Sequence, residues 1–284
     1  MRITQRKPEW FKVPLSDKTA MEIHRMMDEL NLKTVCREAH CPNIGECFSR
    51  KTATFLILGD VCTRNCAFCM IKSGKPKPVD EQEPERIASA AGKMQLKHVV
   101  ITGVNRDDLA LGGAGQYAKT VHALRQIDPQ LIIEILPGDF SGNIEALKLI
   151  MENPPDVFNH NVETVRRLTP LIRDRRADYT VSLKMLKTAS ELNPKILTKS
   201  GLILGLGEEW DEIIETLQDL RNVKCDGVTI GQYIAPSKRH HRVVKYYPPA
   251  EFGKLDKIAR QMGFKGVASG PLVRSSYLAS TLFD

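Results

Sequence analysis

From about residue 50 onward the chain alternates apolar strand-like runs with helical segments, and this alternation constrains the fold more than any other feature. Ala53 to Leu58 reads as a buried strand, His98 to Thr102 as a second and Leu131 to Leu136 as a third. Asp156 to Asn159, a run from near Ile196 to Leu204, and Gly227 to Tyr233 supply three more. Helices are predicted between them at Glu83–Met94 with Pro84 in its first turn, Gly115–Gln126, Asn143–Met151, Val162–Leu168, Thr180–Leu192, Glu208–Leu220 and Ala250–Met262. Six strand–helix units in strict alternation call for a parallel sheet with right-handed crossovers. No Gly-rich dinucleotide fingerprint accompanies them. The reading is therefore α/β, a partial (β/α)6 TIM-like barrel rather than a doubly wound sheet. Function in such barrels sits in the βα loops at the C-terminal strand ends.

The first 50 residues differ, being polar and helical or irregular. Ser16 to Asn31 reads as a capped helix with Met21, His24, Met27 and Leu30 at helical spacing; His24 there is a surface or core residue rather than a ligand. Three regions follow: an N-terminal extension over 1–50, a barrel over 51–264 and a C-terminal tail over 265–284. At 284 residues, with 42% hydrophobic and 26% charged residues, the chain is too long and too apolar to be disordered or a small disulfide-stapled scaffold. No apolar stretch approaches the length of a membrane span, and no apolar run follows the basic N-terminus as in a secretory signal. The expectation is a cytoplasmic protein without a membrane or nucleic-acid partner, since no zinc-finger or RNA-recognition signature accompanies the net charge of +7. That charge favours an anionic partner, although a solvated basic surface explains it equally.

Six of the seven cysteines fall between Cys36 and Cys69. Cys225 stands apart and reads as a small buried hydrophobe. Without an export signal, clustered thiols point to metal or redox chemistry rather than disulfides. Cys62, Cys66 and Cys69 form a C-x3-C-x2-C triplet in the loop after the first strand. Three thiolates this close hold three corners of a cubane iron–sulfur cluster and leave the fourth iron open to a small molecule. A structural zinc site is the competing reading, but it asks for four protein ligands. Cys36, Cys41 and Cys47 form a C-x4-C-x5-C triplet whose irregular spacing suits a second cluster. Its remaining corner needs a non-cysteine ligand such as Ser, His or Asp. His40 is adjacent to Cys41 but shares its tight loop, so a distant residue is the better candidate.

The C-x3-C-x2-C triplet after strand one, with the aromatic Phe68 before its last cysteine, resembles the radical S-adenosylmethionine superfamily. Gly201-Leu-Ile-Leu-Gly205-Leu-Gly-Glu208 resembles that superfamily's G-x-I-x-G-x-x-E stretch near the adenine, although a strand, a tight turn and a capped helix explain the same residues. With both triplets in hand, the run from Thr34 to Cys69 resembles the lipoyl synthase family. So do Asn105-Arg-Asp-Asp-Leu109, Pro155-Asp-Val-Phe-Asn-His-Asn161 with Glu163, Thr229-Ile-Gly-Gln-Tyr233 and Val273-Arg-Ser-Ser-Tyr-Leu-Ala279. The resemblance spans about residues 30 to 280.

This resemblance implies two 4Fe-4S clusters and S-adenosylmethionine as cofactors. It implies Ser276, the second serine of Arg274-Ser-Ser-Tyr277, as the fourth ligand beside Cys36, Cys41 and Cys47. It places Asn161, Glu163 and Glu208 near S-adenosylmethionine, where Asn161 and Glu163 otherwise read as a helix start. The implied reaction is radical insertion of two sulfur atoms into an octanoyl chain carried on a lysine of an acidic lipoyl carrier domain. A 5′-deoxyadenosyl radical generated at the Cys62/Cys66/Cys69 cluster abstracts hydrogen, and the auxiliary cluster gives up sulfur. Electrons come from a donor such as ferredoxin or flavodoxin. Asp107 and Asp108 either orient substrate or cap the next loop. Three stretches depart from the family's usual residues: Met70 for Asp, Thr102-Gly-Val-Asn105 for Thr-Ser-Val-Asp, and His240-His241-Arg-Val243 for His-Leu-Pro-Val. They bear on the substrate channel, on carrier recognition or on a need for a partner protein. Another two-cluster sulfur-inserting enzyme, or a two-cluster electron carrier, competes with this reading. Cluster spectra that shift on adding S-adenosylmethionine separate an enzyme from a carrier.

Overall fold

A computed structural model describes residues 8–11, 25–38, 41, 43, 47, 54–277 and 279–283. Ser16, His24 and His40 lie outside these residues, and of the helix expected over Ser16–Asn31 only residues 25–29 are seen as helix. The strands are β1 (Lys33–Thr34), β2 (Thr54–Ile57), β3 (Val61–Cys62), β4 (Lys72–Ser73), β5 (His98–Gly103), β6 (Ile132–Leu136), β7 (Val157–Asn159), β8 (Leu197–Leu204), β9 (Gly227–Gln232) and β10 (Gly266–Gly270). The α-helices are α1 (Val35–Glu38), α2 (Glu83–Met94), α3 (Ala114–Ile127), α4 (Ile144–Met151), α5 (Thr169–Ile172), α6 (Tyr179–Leu192), α7 (Trp210–Asn222) and α8 (Pro249–Gln261).

The main sheet runs β1-β2-β5-β6-β7-β8-β9-β10, and every pairing in it is parallel except β1 with β2. Consecutive parallel neighbours joined by helices are the signature of an α/β barrel. The sequence reading counted six strands; β10 adds a seventh parallel one. Its Gly266-Val-Ala-Ser-Gly270 is too poor in large apolar residues to announce a strand. Small residues are needed because the end of the chain returns across this edge. A Cβ on Gly266 would stand 2.6 Å from the Leu282 carbonyl oxygen.

One expected helix is absent. Val162–Leu168 continues the edge of β7: His160 N–H donates to the Lys199 carbonyl, Glu163 N–H to the Gly201 carbonyl, and Ile203 N–H to the Glu163 carbonyl. Glu163 has φ 66°, which no helix accommodates. Helix begins only with a 3-10 turn at Arg166–Leu168 and then α5, where Pro170 enters the first turn. Elsewhere local capping sets the boundaries. Asn143 accepts from Glu145 N–H before α4, Asp178 accepts from Val181 N–H before α6, and Glu209 with Glu212 forms a capping box before α7.

Apolar residues of β2, β5, β6 and β8 pack against the inner faces of α2, α3 and α7. A buried polar knot occupies the sheet at β5–β8. Lys199 and Glu134 are both fully buried, with Nζ 2.9 and 3.0 Å from the two carboxylate oxygens, and Asn159 donates to Glu134 at 2.7 Å. A charge this deep is tolerated because it is paired and hydrogen-bonded.

Candidate functional site

The C-terminal ends of the strands surround one large cavity of about 590 Å³. Both cysteine triplets line it: Cys36, Cys41 and Cys47 from the N-terminal segment, Cys62, Cys66 and Cys69 from the loop after β2. Ser275 and Ser276 line it from the returning tail, Asn161 and Glu163 from the edge of β7, and Phe68 from the second triplet. Residues separated by over two hundred positions in sequence therefore share one wall.

The first triplet is held by three backbone-level devices. β1 pairs antiparallel with β2, Lys33 opposite Leu56 and Thr34 opposite Phe55, which delivers Cys36 to the barrel mouth. Cys41 N–H donates to the Cys36 carbonyl and Cys47 N–H to the Asn43 carbonyl. The buried Asn43 amide donates to the Leu272 carbonyl at 2.6 Å, tying this segment to the tail that carries Ser276. Burial pushes the Cys36 thiol up to about 11, and the Cys41 thiol is also raised by burial. Arg274 lies beside Cys41, and among the described residues its guanidinium hydrogen-bonds only to the adjacent Val273 carbonyl. Among the described residues it has no carboxylate partner, so it offers a cation to whatever the thiols hold.

The second triplet is clamped by Arg64, which sits between Cys62 and Cys66. Its guanidinium donates to both oxygens of Asp139 at 2.6 and 2.7 Å, to Asp107 at 2.8 to 3.2 Å and to Ser141 at 3.2 Å. Burial alone would weaken its charge, but the two carboxylates outweigh burial and raise its pKa. Asp107 answers in the opposite sense: against the pull of burial, Arg64 and Thr63 draw it down to about 2. Phe140, Ser141 and Gly142 all take positive φ to bring Asp139 and Ser141 to this point. Asp107 is thus a brace for the cysteine loop, while Asp108 pairs with Arg106.

The loop is also held from its far side. Asn65 N–H donates to Asp174, Ala67 N–H to the Ile172 carbonyl, and His241 N–H donates to the Ala67 carbonyl at 2.8 Å. The His240 ring bonds the Cys69 carbonyl at 3.1 Å, and the His241 ring bonds the Leu206 carbonyl at 3.0 Å. The His240-His241 pair therefore straps the cysteine loop to the turn after β8. Burial pushes the Cys66 thiol up to about 11 and the Cys69 thiol up to about 12, while the Asp174 N–H, 3.3 Å from the Cys66 sulfur, pulls the other way.

Arg173 is a site residue that sequence reasoning passed over. It is 9% exposed, lines the cavity and faces Cys66 and Glu163. A relay fixes it. Arg173 donates to Ser182 Oγ at 2.8 Å, Ser182 Oγ lies 3.0 Å from His160 Nε2, and His160 Nδ1 lies 3.0 Å from the Pro137 carbonyl. Since a carbonyl only accepts, Nδ1 carries the proton and Nε2 accepts. Burial, seconded by Arg173, lowers the His160 pKa to about 4, so the imidazole is neutral. The sequence signal was Asp174 flanked by arginines, which resembles an ordinary charged surface run.

Asn161 donates to Ser275 Oγ at 2.6 Å and to Glu163 at 3.1 Å, while its own Oδ1 is buried without a partner. Burial raises the Glu163 pKa, with Arg173 and Asn161 opposing. An orphaned acceptor, a desolvated carboxyl and a guanidinium in one wall suit a ligand bearing both ammonium and carboxylate groups. Glu208 is placed differently. It lies outside the cavity lining and accepts from the Gly205 and Leu206 N–H groups at 2.6 and 3.0 Å, shaping the turn after β8. Gly201 of that strand does line the cavity, where a Cβ would meet Asn161 Oδ1 at 2.7 Å. Among the described residues no three His, Cys, Asp or Glu side chains converge on a single-ion position. Cys225 is fully buried away from the site, its thiol pushed up to about 12 by burial.

Residues 56–220 match the family model of the radical SAM superfamily. The lipoyl synthase of Caldanaerobacter subterraneus subsp. tengcongensis is 51% identical over 98% of this chain and 97% of its own length. That of Halalkalibacterium halodurans is 55% identical over 96% of this chain and 91% of its own. Among solved structures, methylornithine synthase superposes with a TM-score of 0.60 at 13% identity, over 87% of this chain and 71% of its own, a likeness of fold.

Proposed function

Because this chain belongs to the lipoyl synthase family of the radical SAM superfamily, we propose that its two cysteine triplets divide the family's chemistry between the two sides of the cavity. The enzyme is a sulfurtransferase using 4Fe-4S clusters and S-adenosylmethionine, acting on lipoyl carrier domains. The observation that carries the division is the shared wall: six thiols, Ser276, Asn161 and Glu163 all line one cavity.

Cys62, Cys66 and Cys69 are the ligands of the cluster that binds S-adenosylmethionine, and Cys36, Cys41, Cys47 and Ser276 those of the auxiliary cluster. When bound, these groups supply a one-electron cleavage that yields a carbon-centred radical, and the sulfur that is inserted. The chain's own part is to place and shield them. Arg64 and the His240-His241 strap fix the second triplet; Asn43 fixes the first triplet against the tail. Asn161, Glu163 and Arg173 present complementary charge to the amino and carboxylate groups of S-adenosylmethionine, and Phe68 packs beside the loop. Glu208 acts through the turn it shapes. The Asn161–Ser275 hydrogen bond joins the two halves, so the tail bearing Ser276 is registered against the cofactor end of β7. The octanoyl chain enters between them from an acidic carrier domain, with electrons from a ferredoxin or flavodoxin. Thiols that must remain reduced to hold clusters suit a cytoplasmic location.

Replacing each triplet separately by alanine tests the division. Anaerobic analysis should find about half the iron and sulfide in either variant, and only the protein retaining Cys62, Cys66 and Cys69 should show a cluster spectrum that shifts with S-adenosylmethionine. Full iron in either variant, or a shift in both, overturns the assignment.

A further inference from the structure

Two segments beside the cavity mouth carry Lys and Arg without a single carboxylate. Residues 70–79 contain Lys72, Lys75 and Lys77, and residues 236–246 contain Lys238, Arg239, Arg242 and Lys245. Among the described residues only Lys245 of these has an ion-pair partner, Glu251 at 2.8 Å. The other six are exposed and form no hydrogen bond or ion pair through their side chains with any of the described residues.

Several carboxylates near the cysteine loop are already engaged by other cations. Asp107, Asp139 and Asp174 are engaged by Arg64, Arg173 and Arg176, and Asp80 by Arg86. Both basic segments are anchored to the same cysteine loop. Gly74 N–H donates to the Cys62 carbonyl at 2.9 Å, and β4 pairs with β3. The opposite segment reaches Ala67 and Cys69 through His241 and His240. Both also start inside the cavity wall, at Met70–Ile71 and Ile234–Pro236. Unpaired cations therefore crowd two sides of the entrance.

We propose that these six cations form the docking surface for an acidic face of the protein domain that bears the substrate chain. The proposal rests on the reading of the cavity as the site of sulfur insertion. A side chain tethered to a domain reaches the interior only if that domain seats at the mouth, so charge there acts on the carrier. Such charge speeds encounter and sets orientation more than it adds contact energy.

The test compares two substrates with reconstituted enzyme and dithionite as reductant, so that no protein electron donor is present. One is an octanoylated carrier domain; the other is a short, uncharged octanoyl-lysyl peptide. Variants K75E/K77E and R239E/R242E, each checked for wild-type iron content, should lower kcat/KM for the carrier by roughly tenfold or more and flatten its salt dependence. Turnover of the peptide should be unchanged. Equal losses on both substrates, or no loss on the carrier, overturn the docking surface. So does a defect that emerges only when flavodoxin replaces dithionite, which would give the rim to the electron donor. Wild-type enzyme that modifies neither substrate overturns the reading of the site beneath it, and the docking with it.

Discussion

Replacing Arg64 by Met should loosen the second cysteine loop at a cost set by what it leaves behind. The Arg64 side chain is 2% exposed and Asp139 is fully buried, so the variant leaves that carboxylate in the interior with only Arg173, at 4.0 Å, and the Ser141 N–H as partners. Breaking a buried pair from one side costs about 3–5 kcal/mol, because the surviving charge keeps its desolvation penalty. The Asp107 contact is more exposed and adds less. In a chain of this size each kcal/mol moves the melting midpoint by about 2 °C, so the shift is roughly 6–10 °C. A second change, Asp139→Asn, removes the stranded charge but keeps an oxygen for the Ser141 N–H. The double variant should recover about 2 kcal/mol of the loss. The assay is thermal unfolding of the reconstituted proteins, with iron counted in each. A loss below about 1 kcal/mol for Arg64→Met, or no recovery in the double variant, refutes the clamp.

Three further outcomes follow from the same structure. His160 is held near a pKa of about 4 in the fold, below its ordinary 6.5, so its contribution is present above pH 6.5 and fades as the pH falls toward 4. Wild type should lose about 2 kcal/mol between pH 7 and 5 that a His160→Asn variant does not lose, as read by pH-dependent melting. A parallel decline in both proteins argues against a neutral buried imidazole. Ser276→Cys should retain the auxiliary cluster yet lose sulfur insertion, if the oxygen is the weak corner at which that cluster comes apart; full turnover sinks the idea. Cys225 should resist alkylation in the native protein and react only after unfolding, since burial suppresses its thiolate; mass spectrometry of the labelled chain reads this directly.

Most of the barrel was legible because its strands are apolar runs and its helices are amphipathic, and N-capping residues such as Asn143 and Asp178 start their helices close to the expected positions. Where the sequence misled, tertiary pairing overrode local pattern. Val162–Leu168 has helix-compatible residues, yet Glu163 bonds across to β8 with a left-handed φ and delays any helix until Arg166. β10 was invisible because its small residues answer to a close neighbour rather than to burial. The two cysteine triplets stood out by spacing, and the fold brings both to one cavity. Arg64, Arg173 and His160 were not, because their roles depend on side-chain partners 9 to 75 residues away. Glu208 shows the converse: it belongs to a recognisable stretch, but its carboxylate is occupied by its own turn.

Mass spectrometry of an octanoyl-lysyl peptide, incubated anaerobically with reconstituted protein, S-adenosylmethionine and a reductant, tests the paired-triplet site most directly. Gain of two sulfur atoms, lost when either triplet is replaced, is the predicted result. Release of 5′-deoxyadenosine with no sulfur gained, from protein shown to hold both clusters, would contradict it.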